Sequence, residues 1–361
     1  MSPAGKREGT IVHEDEPLNC EPARAALAEA SLTATDAFYV RSHGAFPEVD
    51  RAAHRVRVCG LVEQELELSL DELADGRFAL RDVAATLQCA GNRRAGLLAA
   101  RDIPGEAPWG PGATGTAAWG GASLPAVLAA ARPTAGARYV AFIGTDVSHE
   151  AEPSQAYGAS ISLRKAMRDE CLLAWEMNGE PLLPAHGAPL RAVIPGYVGA
   201  RSVKWLSRIE LRDVPWDGFY QDVAYRLLPP DGEPAPGAGM PLGEVALNAD
   251  VLVPDDGAEV RAGRTTLRGY AFAGGERRVA RVDVSTDAGV TWAQADLDDD
   301  LGRWAWRLWR LDVELAPGEH EVRVRAWDSA AATQPEDPAT VWNPKGYVNN
   351  AQGRMTLRVT A

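Results

Sequence analysis

Two patterns of hydrophobic and polar residues divide the 361-residue chain. From residue 38 to about residue 215, alternation in Val56–Val62 predicts a strand, and Ser69–Leu73 has the form of a helix start behind a serine cap. Three apolar runs predict buried strands: Tyr139–Ile143, Leu172–Met177 and Leu190–Ile194. Glycine and proline turns separate these segments, so this part predicts an α+β domain with long loops.

The last third of the chain contains only short alternating segments with turns between them. They are Thr265–Ala271, Val279–Ser285, Trp304–Leu311, His320–Ala326 and Met355–Val359. Regular short strands without a helical period are typical of an all-β sandwich of the immunoglobulin type. We expect Trp304 and Trp306 to lie in the core of this sandwich.

Changes in composition suggest where the parts of the chain begin and end. Residues 1–35 are predicted to form an irregular arm that ends in a short helix around Glu21–Ala30. Residues 229–242 are rich in proline and glycine and predict a linker. The predicted organisation is therefore an arm at 1–35, an α+β domain at 36–228, the linker, and an immunoglobulin-like domain at 243–361.

Charge and cysteine usage narrow the functional classes. The formal net charge is −13, with 37 basic and 50 acidic residues, which argues against non-specific nucleic-acid binding. The four cysteines are isolated, so neither a zinc motif nor a disulfide framework is predicted. Residues 1–17 are polar and show no secretory or membrane-spanning pattern. The expected location is the cytoplasm, or the periplasm if a leader has been removed.

Cys89 stands in the run Thr86–Arg94, where Ala-Gly-Asn and two arginines follow it. A thiolate is a soft ligand that suits a heavy redox metal, and nearby arginines favour the deprotonated form. The alternative is an inert buried thiol, which the local pattern alone favours, because isolated cysteines are often core residues.

Three further segments combine glycines, aromatic residues and cations. Tyr39–His43 and the region from His186 to Lys204 could bind an anion or could carry ordinary surface charges; the local pattern leaves both open. Trp342–Asn350 places Lys345 between proline and glycine within the β domain. None of these segments contains a Walker motif or a dinucleotide fingerprint.

Taken together and in this order, the motifs resemble the sulfite oxidase family of molybdenum enzymes. The most specific match is Leu87–Arg94, followed by Leu173–Gly179 and Pro195–Leu206. The resemblance implies a molybdenum–molybdopterin domain followed by an immunoglobulin-like dimerisation domain. It also implies oxidation of sulfite to sulfate by oxygen-atom transfer at a cysteine-ligated molybdenum centre. The chain has no haem domain, so electrons would pass to a separate acceptor, such as a c-type cytochrome.

The resemblance assigns roles residue by residue. Cys89 would ligate molybdenum, and the catalytic pocket would also contain Arg41, Arg94, Trp109, Tyr225 and Lys345. The cofactor would be held by Tyr39, Val40, Arg41, Ser42, His43, Asp146, His186, Arg191, Ser202, Val203 and Lys204. Trp109 and Tyr225 are placed by looser alignment than Cys89.

Two positions depart from the family pattern. Ser42 stands where asparagine is frequent, and Lys345 stands where animal and plant enzymes have arginine. Lysine keeps the charge but loses two-pronged recognition of an oxyanion. Assimilatory nitrate reductases of the same superfamily tend to have an apolar residue at this position, so the retained cation favours sulfite over nitrate. A related molybdenum enzyme acting on nitrate, another oxyanion or a sulfoxide is the nearest alternative. A non-catalytic binding or assembly module is an alternative of another class, and a zinc hydrolase lacks any ligand motif.

Overall fold

A computed structural model describes residues 5–361 and shows an N-terminal arm, a mixed domain and a β-sandwich. The first four residues of the predicted 1–35 arm lie outside the described part. The arm contains β1 (Ile11–Glu14), β2 (Asn19–Glu21) and α1 (Arg24–Leu27), so the predicted short helix is present but spans one turn. Cys20 and Val40 exchange two backbone hydrogen bonds of 2.9 Å, which fix the arm beside the segment 39–43.

The mixed domain follows in the order β3 (Val56–Gly60), β4 (Leu66–Leu68), α2 (Leu70–Ala74), β5 (Leu80–Gln88), α3 (Arg94–Leu98), β6 (Thr114–Ser123), α4 (Leu124–Ala131), β7 (Tyr139–Ser148), β8 (Gln155–Ser162), α5 (Leu163–Ala166), β9 (Leu172–Met177), β10 (Glu180–Pro181), β11 (Arg191–Val193) and β12 (Leu206–Arg212). Single helical turns lie at Thr35–Ala37, Pro184–His186, Gly199–Arg201, Tyr220–Ala224 and Pro338–Val341.

Two five-stranded sheets form the frame of this domain. One has the strand order β10-β9-β6-β5 with β11 also paired to β9, and the other has the order β4-β3-β12-β7-β8. Ser69 caps α2 in a capping box with Glu72, as the serine pattern predicted. Apolar residues of both sheets, including Phe142 and Leu173, share one core. The α+β prediction for this domain is confirmed.

The predicted linker 229–242 lies largely between β13 (Arg226–Leu227) and β14 (Met240–Pro241), which pair antiparallel. The sandwich comprises β15 (Asn248–Val253), β16 (Glu259–Arg261), β17 (Gly263–Phe272), β18 (Val279–Ser285), β19 (Ala293–Gln294), β20 (Asp296–Leu297), β21 (Arg307–Leu315), β22 (Gly318–Asp328) and β23 (Gly353–Thr360). Its sheets have the orders β15-β17-β21-β20 and β16-β23-β22-β18-β19. The predicted immunoglobulin-like sandwich is confirmed.

The prediction for two tryptophans of the sandwich was correct in part. Trp306 is buried and stacks on Tyr270 of the sandwich with ring centroids 5.5 Å apart. The apolar cluster that it joins extends into the mixed domain, and its indole N–H donates to the carbonyl of Ser31 at 2.9 Å. Trp304 is partly buried against the cluster around Cys89 and lies over the ammonium of Lys165. Trp309 occupies the sandwich core instead. Trp304 and Trp306 therefore join the two domains.

Within the described residues, none of the helices combines the length and the hydropathy that crossing a bilayer requires.

Candidate active site

Cys89 begins the loop that follows β5, at the point where the two domains meet. Its side chain is nearly buried, and its sulfur accepts a 3.4 Å hydrogen bond from the backbone N–H of Gly91. Burial raises the pKa of the thiol, although the positive charges of Arg41 and Arg94 oppose that shift. A metal bound to the sulfur would remove the proton, because the thiolate is the ligand form.

The loop after Cys89 is tied to the sandwich by buried polar contacts. Arg93 adopts a left-handed backbone conformation with φ of 65°. Its guanidinium donates to Asp250 at 2.6 Å and to the carbonyl of Ala351 at 2.8 Å. Asn349 donates in return to the carbonyl of Arg93, and Asn92 donates to the Tyr270 hydroxyl at 2.9 Å. The position of the sulfur therefore depends on both domains.

A cavity of about 640 Å³ opens beside Cys89. Every residue that the family resemblance assigned to the cofactor lines it: Tyr39, Val40, Arg41, Ser42, His43, Asp146, His186, Arg191, Ser202, Val203 and Lys204. Gly199 also borders the cavity, and a Cβ there would lie 2.7 Å from the Tyr39 hydroxyl. The structure thus brings the segments 39–43, 186–191 and 202–204 to one site.

The electrostatics of this cavity fit an anionic group. Loss of water lowers the pKa of Lys204 well below its usual range, with Arg191 adding repulsion, and burial lowers the pKa of Arg191 to about 10. Asp146 is the carboxylate that borders the cavity, and burial raises its pKa to about 6. The Arg191 Nε and Asp146 Oδ1 atoms are buried without a hydrogen-bond partner. The cavity thus has more positive than negative charge, which suits the phosphate of a pterin cofactor. Its unpaired polar atoms suit the polar edge of the pterin ring.

Lys6, which the sequence analysis did not identify, supports the same cavity from the N-terminal arm. Its ammonium lies 2.8 Å from His186 Nε2 and donates to the carbonyls of Thr35 and Phe38, each at 2.8 Å. Burial lowers the pKa of Lys6 to about 8 and, together with the charge of Lys6, keeps the pKa of His186 well below its usual range. His186 is therefore neutral, and its Nε2 accepts a hydrogen bond from the Lys6 ammonium.

A second and larger pocket, of about 1190 Å³, adjoins the first. All six residues predicted for catalysis line it: Cys89, Arg41, Arg94, Trp109, Tyr225 and Lys345. Cys89 and Tyr225 border both cavities. Lys345 enters from the sandwich domain. The geometry thus gathers the predicted catalytic residues around the exposed side of the sulfur.

Tyr225 is held at the junction of the two cavities. Its hydroxyl lies 2.7 Å from His43 Nε2, and its ring stacks on Tyr347 with centroids 5.5 Å apart. Burial lowers the pKa of His43, and the nearby charge of Arg41 adds to this effect. His43 is therefore neutral and shares a hydrogen bond with the Tyr225 hydroxyl, and burial raises the pKa of Tyr225. The tyrosine is consequently protonated at any physiological pH.

Acidic residues in the second pocket were also missed by the sequence analysis. Glu106 contacts the Lys345 ammonium and lies 3.0 Å from Arg94 Nη2. Glu150 lies 3.9 Å from the Arg41 guanidinium, and Glu14 is a third carboxylate on the wall. In the family resemblance, the segment Gly105–Trp109 locates only Trp109. No rule of sequence spacing links Glu106 to Lys345, which lies 239 positions later.

Comparisons with known proteins agree with this geometry. Residues 43–220 match the family described as oxidoreductase molybdopterin binding domain, and residues 241–360 match the Mo-co oxidoreductase dimerisation domain. The first match identifies the cofactor as molybdenum–molybdopterin, which the cationic cavity can hold.

Three curated relatives show how the chain aligns. Mitochondrial sulfite oxidase of Mus musculus is 38% identical over 96% of this chain, which spans 65% of that protein, just under two thirds. Sulfite oxidase of Arabidopsis thaliana is 36% identical over 96% of this chain and 93% of its own length. Nitrate reductase [NADH] 1 of Oryza sativa is 36% identical over 95% of this chain, but only 40% of that protein is matched.

A solved structure with the same fold is that of the sulfane dehydrogenase SoxCD from Paracoccus pantotrophus. Its TM-score is 0.82, with 24% identity, and the superposition covers 99% of this chain and 90% of that one. At this identity the likeness establishes the fold alone. The full-length relatives, the two family matches and the ordered motifs show that the chain belongs to the sulfite oxidase family of molybdenum–molybdopterin oxidoreductases.

Proposed function

We propose that this protein oxidises sulfite to sulfate at a molybdenum centre held by Cys89 and passes the electrons to a separate acceptor. The observation that carries the proposal is the shared pocket in which Arg41, Arg94 and Lys345 surround the open side of the Cys89 sulfur. The bound molybdenum–molybdopterin would supply the two-electron oxygen-atom transfer.

The residues of the chain would bind and orient the substrate. Arg41, Arg94 and Lys345 offer charged donors to an oxyanion, which offsets the cost of removing its water. Tyr225 carries its proton at the junction of the cavities. With His43 Nε2 as the donor of the hydrogen bond that they share, the tyrosine hydroxyl would donate to an oxygen of the substrate. Trp109, which is fully buried, forms part of the wall that limits the access of water.

A steady-state assay tests this proposal directly. Protein produced in cofactor-competent cells is assayed with sulfite, using ferricyanide or cytochrome c as acceptor, and its molybdenum content is measured in parallel. We expect about one molybdenum per chain and sulfite-dependent reduction of the acceptor. Cys89→Ser should retain the fold and lose turnover. A molybdenum-loaded wild type that does not turn over sulfite would refute the proposal.

Another substrate class within the family is the second candidate. Glu106 and Glu150 offset the positive charge of Arg41, Arg94 and Lys345 in the pocket. The pocket therefore suits a neutral S-oxide better than it would if these three cations had no carboxylate beside them. Assays with nitrate and with a sulfoxide, using a reduced dye as electron donor, separate these substrates from sulfite. The non-catalytic alternative is disfavoured, because all six pocket residues and the cationic cavity are intact.

The partners and the compartment are proposals as well. We infer a homodimer formed through the sandwich domain, since its family is described as a dimerisation domain. The net charge of −13 would suit a basic acceptor such as a c-type cytochrome. Light scattering tests the dimer, kinetics at increasing ionic strength test the charged acceptor, and cell fractionation tests the predicted cytoplasmic location.

A further inference from the structure

Glu106 occupies the position in the second pocket where charged donors from both domains converge. Its two carboxylate oxygens face two different cations: one lies 3.0 Å from Arg94 Nη2, and the other contacts the Lys345 ammonium. The side chain of Glu106 is 17% exposed, against 3% for Arg94 and 26% for Lys345. This ion triad borders the pocket and is shielded from most of the solvent.

The remaining donors of Arg94 are largely committed. Its Nε donates to the carbonyl of Lys345 at 3.0 Å, and its Nη1 donates to the carbonyl of Ala107 at 2.8 Å. The Nη2 edge, which faces Glu106, is the part left to bind a ligand. A carboxylate and an oxyanion use the same charged donors in similar geometry. Glu106 thus fills the place that an anionic substrate needs.

The loop that carries Glu106 lies on the wall of the second pocket. Gly105 has φ of 77°, and a Cβ at that position would meet no atom within 4 Å. Its glycine is therefore required by backbone conformation and not by crowding. Gly105 and Glu106 both line the pocket, and the Glu106 side chain is 17% exposed, so a ligand that enters the pocket meets this carboxylate.

We propose that Glu106 is a displaceable internal counter-ion that determines how tightly the pocket binds oxyanions. In the free enzyme it neutralises Arg94 and Lys345 and holds them together across the domain boundary. An oxyanion binds by taking its place, so each binding event includes the cost of breaking the triad. When the product leaves, Glu106 returns and opposes rebinding. This inference rests on the anion-binding role proposed for the pocket.

Substitution of Glu106 should strengthen anion binding. Glu106→Gln keeps the size of the side chain and removes the charge, so that a ligand no longer competes with a carboxylate. We expect the Kd for sulfate to fall at least tenfold, which corresponds to about 1.4 kcal/mol. Sulfate should also become a correspondingly stronger competitive inhibitor. If Glu106 only held Arg94 and Lys345 in position, removal of its charge would weaken sulfate binding instead.

Isothermal titration of sulfate into molybdenum-loaded protein measures this effect without turnover. Glu150→Gln is the matched control, because it removes one negative charge from the same pocket but leaves Arg94 and Lys345 untouched. Glu150 is half exposed and 3.9 Å from Arg41, so its removal should change the Kd less than threefold. If Glu106→Gln does not retain the fold and the metal, Glu106→Asp replaces it. Its carboxylate is one methylene shorter and cannot reach both cations, and at least threefold tighter binding is expected.

Several outcomes would overturn the inference. One is a Kd for sulfate that Glu106→Gln lowers by less than twofold or raises. Another is an equal effect of Glu106→Gln and Glu150→Gln. The third, when Glu106→Asp is used, is an unchanged Kd in that variant. Failure of the proposed function is seen separately, in the sulfite assay of the wild type. Tighter sulfate binding in a protein that does not oxidise sulfite would retain the role of Glu106 and remove sulfite as substrate.

Discussion

Lys204→Met should stabilise the protein without its cofactor and weaken the protein with it. In the cofactor-free protein the substitution removes a buried charge that borders the cofactor cavity, and Arg191 repels this charge more strongly than Asp146 attracts it. Replacement of desolvated charge by an apolar side chain of similar size gains about 1–4 kcal/mol. It also removes hydrogen bonds to Ser42 Oγ at 2.9 Å and to the Ala185 carbonyl at 3.1 Å, at a cost of about 2 kcal/mol together. The net expectation is a gain of about 1 kcal/mol.

In the loaded protein the sign reverses, because the ammonium would then face an anionic cofactor. A charge-assisted hydrogen bond to phosphate contributes about 1.5–3 kcal/mol, so cofactor retention should fall roughly ten- to hundredfold. Urea unfolding of both forms and the molybdenum content after dialysis measure the two effects. A variant that is destabilised by more than 1 kcal/mol without cofactor, or that retains the cofactor like the wild type, would refute the reasoning.

The same cavity predicts how stability depends on pH. The pKa values of Lys204 and Lys6 are lowered on folding, so the unfolded chain binds more protons. The free energy of unfolding of cofactor-free protein should therefore rise between about pH 7 and pH 8, by at most about 1.4 kcal/mol per pH unit for each group. Above about pH 9 the buried thiols oppose this rise, because burial raises the pKa values of Cys20, Cys59, Cys89 and Cys171. Lys204→Met should reduce the slope between about pH 7 and pH 8 by one group, and a wild type whose stability is flat in that range would contradict the assignment. Asp146, with a pKa of about 6, titrates mainly below this range.

Three further substitutions test the site and its attachment to the sandwich. Lys345→Met should raise the KM for sulfite about tenfold while leaving the molybdenum content unchanged, because a half-buried cation on the pocket wall acts on the substrate and not on the metal; an unchanged KM would remove Lys345 from the pocket. Asp250→Ala leaves the buried Arg93 without its carboxylate and should lower the free energy of unfolding by about 3–5 kcal/mol. Urea unfolding measures this loss, and a loss below about 1 kcal/mol would contradict a buried ion pair. Tyr225→Phe removes the proton donor beside His43 and should lower kcat about 10²- to 10³-fold with the molybdenum content intact; equal loss of metal and activity would indicate a structural role instead.

Local signals in the sequence predicted some elements closely and left others unseen. Leu172–Met177 has the predicted bounds, since a continuous apolar run between turn residues is a strong signal for a buried strand. The strand Thr114–Ser123 was not predicted, because it is rich in alanine and glycine, which have low strand propensity. Leu80–Gln88 was not predicted either, because it is exposed at its start and buried on both faces at its end, which removes the alternation. Asn248–Val253 was missed beside the linker, where burial on both faces removes the alternation.

The candidate site shows the same division between local and long-range information. Ordered motifs identified the residues that line both cavities, because those residues lie in short runs of distinctive composition. Lys6 and Glu106 are single charged residues in irregular segments, and their partners are 180 and 239 positions away. The pattern around Trp306 predicted burial correctly but could not show which domain covers it. Only the tertiary structure provides such pairings.

The contact between Arg93 and Asp250 makes the sandwich part of the support for Cys89. One ion pair and the hydrogen bonds around it connect the strand β15 with the loop that carries Cys89. The two domains should therefore melt as a single cooperative unit, and calorimetry of the loaded protein should record one transition. A substitution in β15 would then displace the loop that carries the sulfur, although it lies in the other domain.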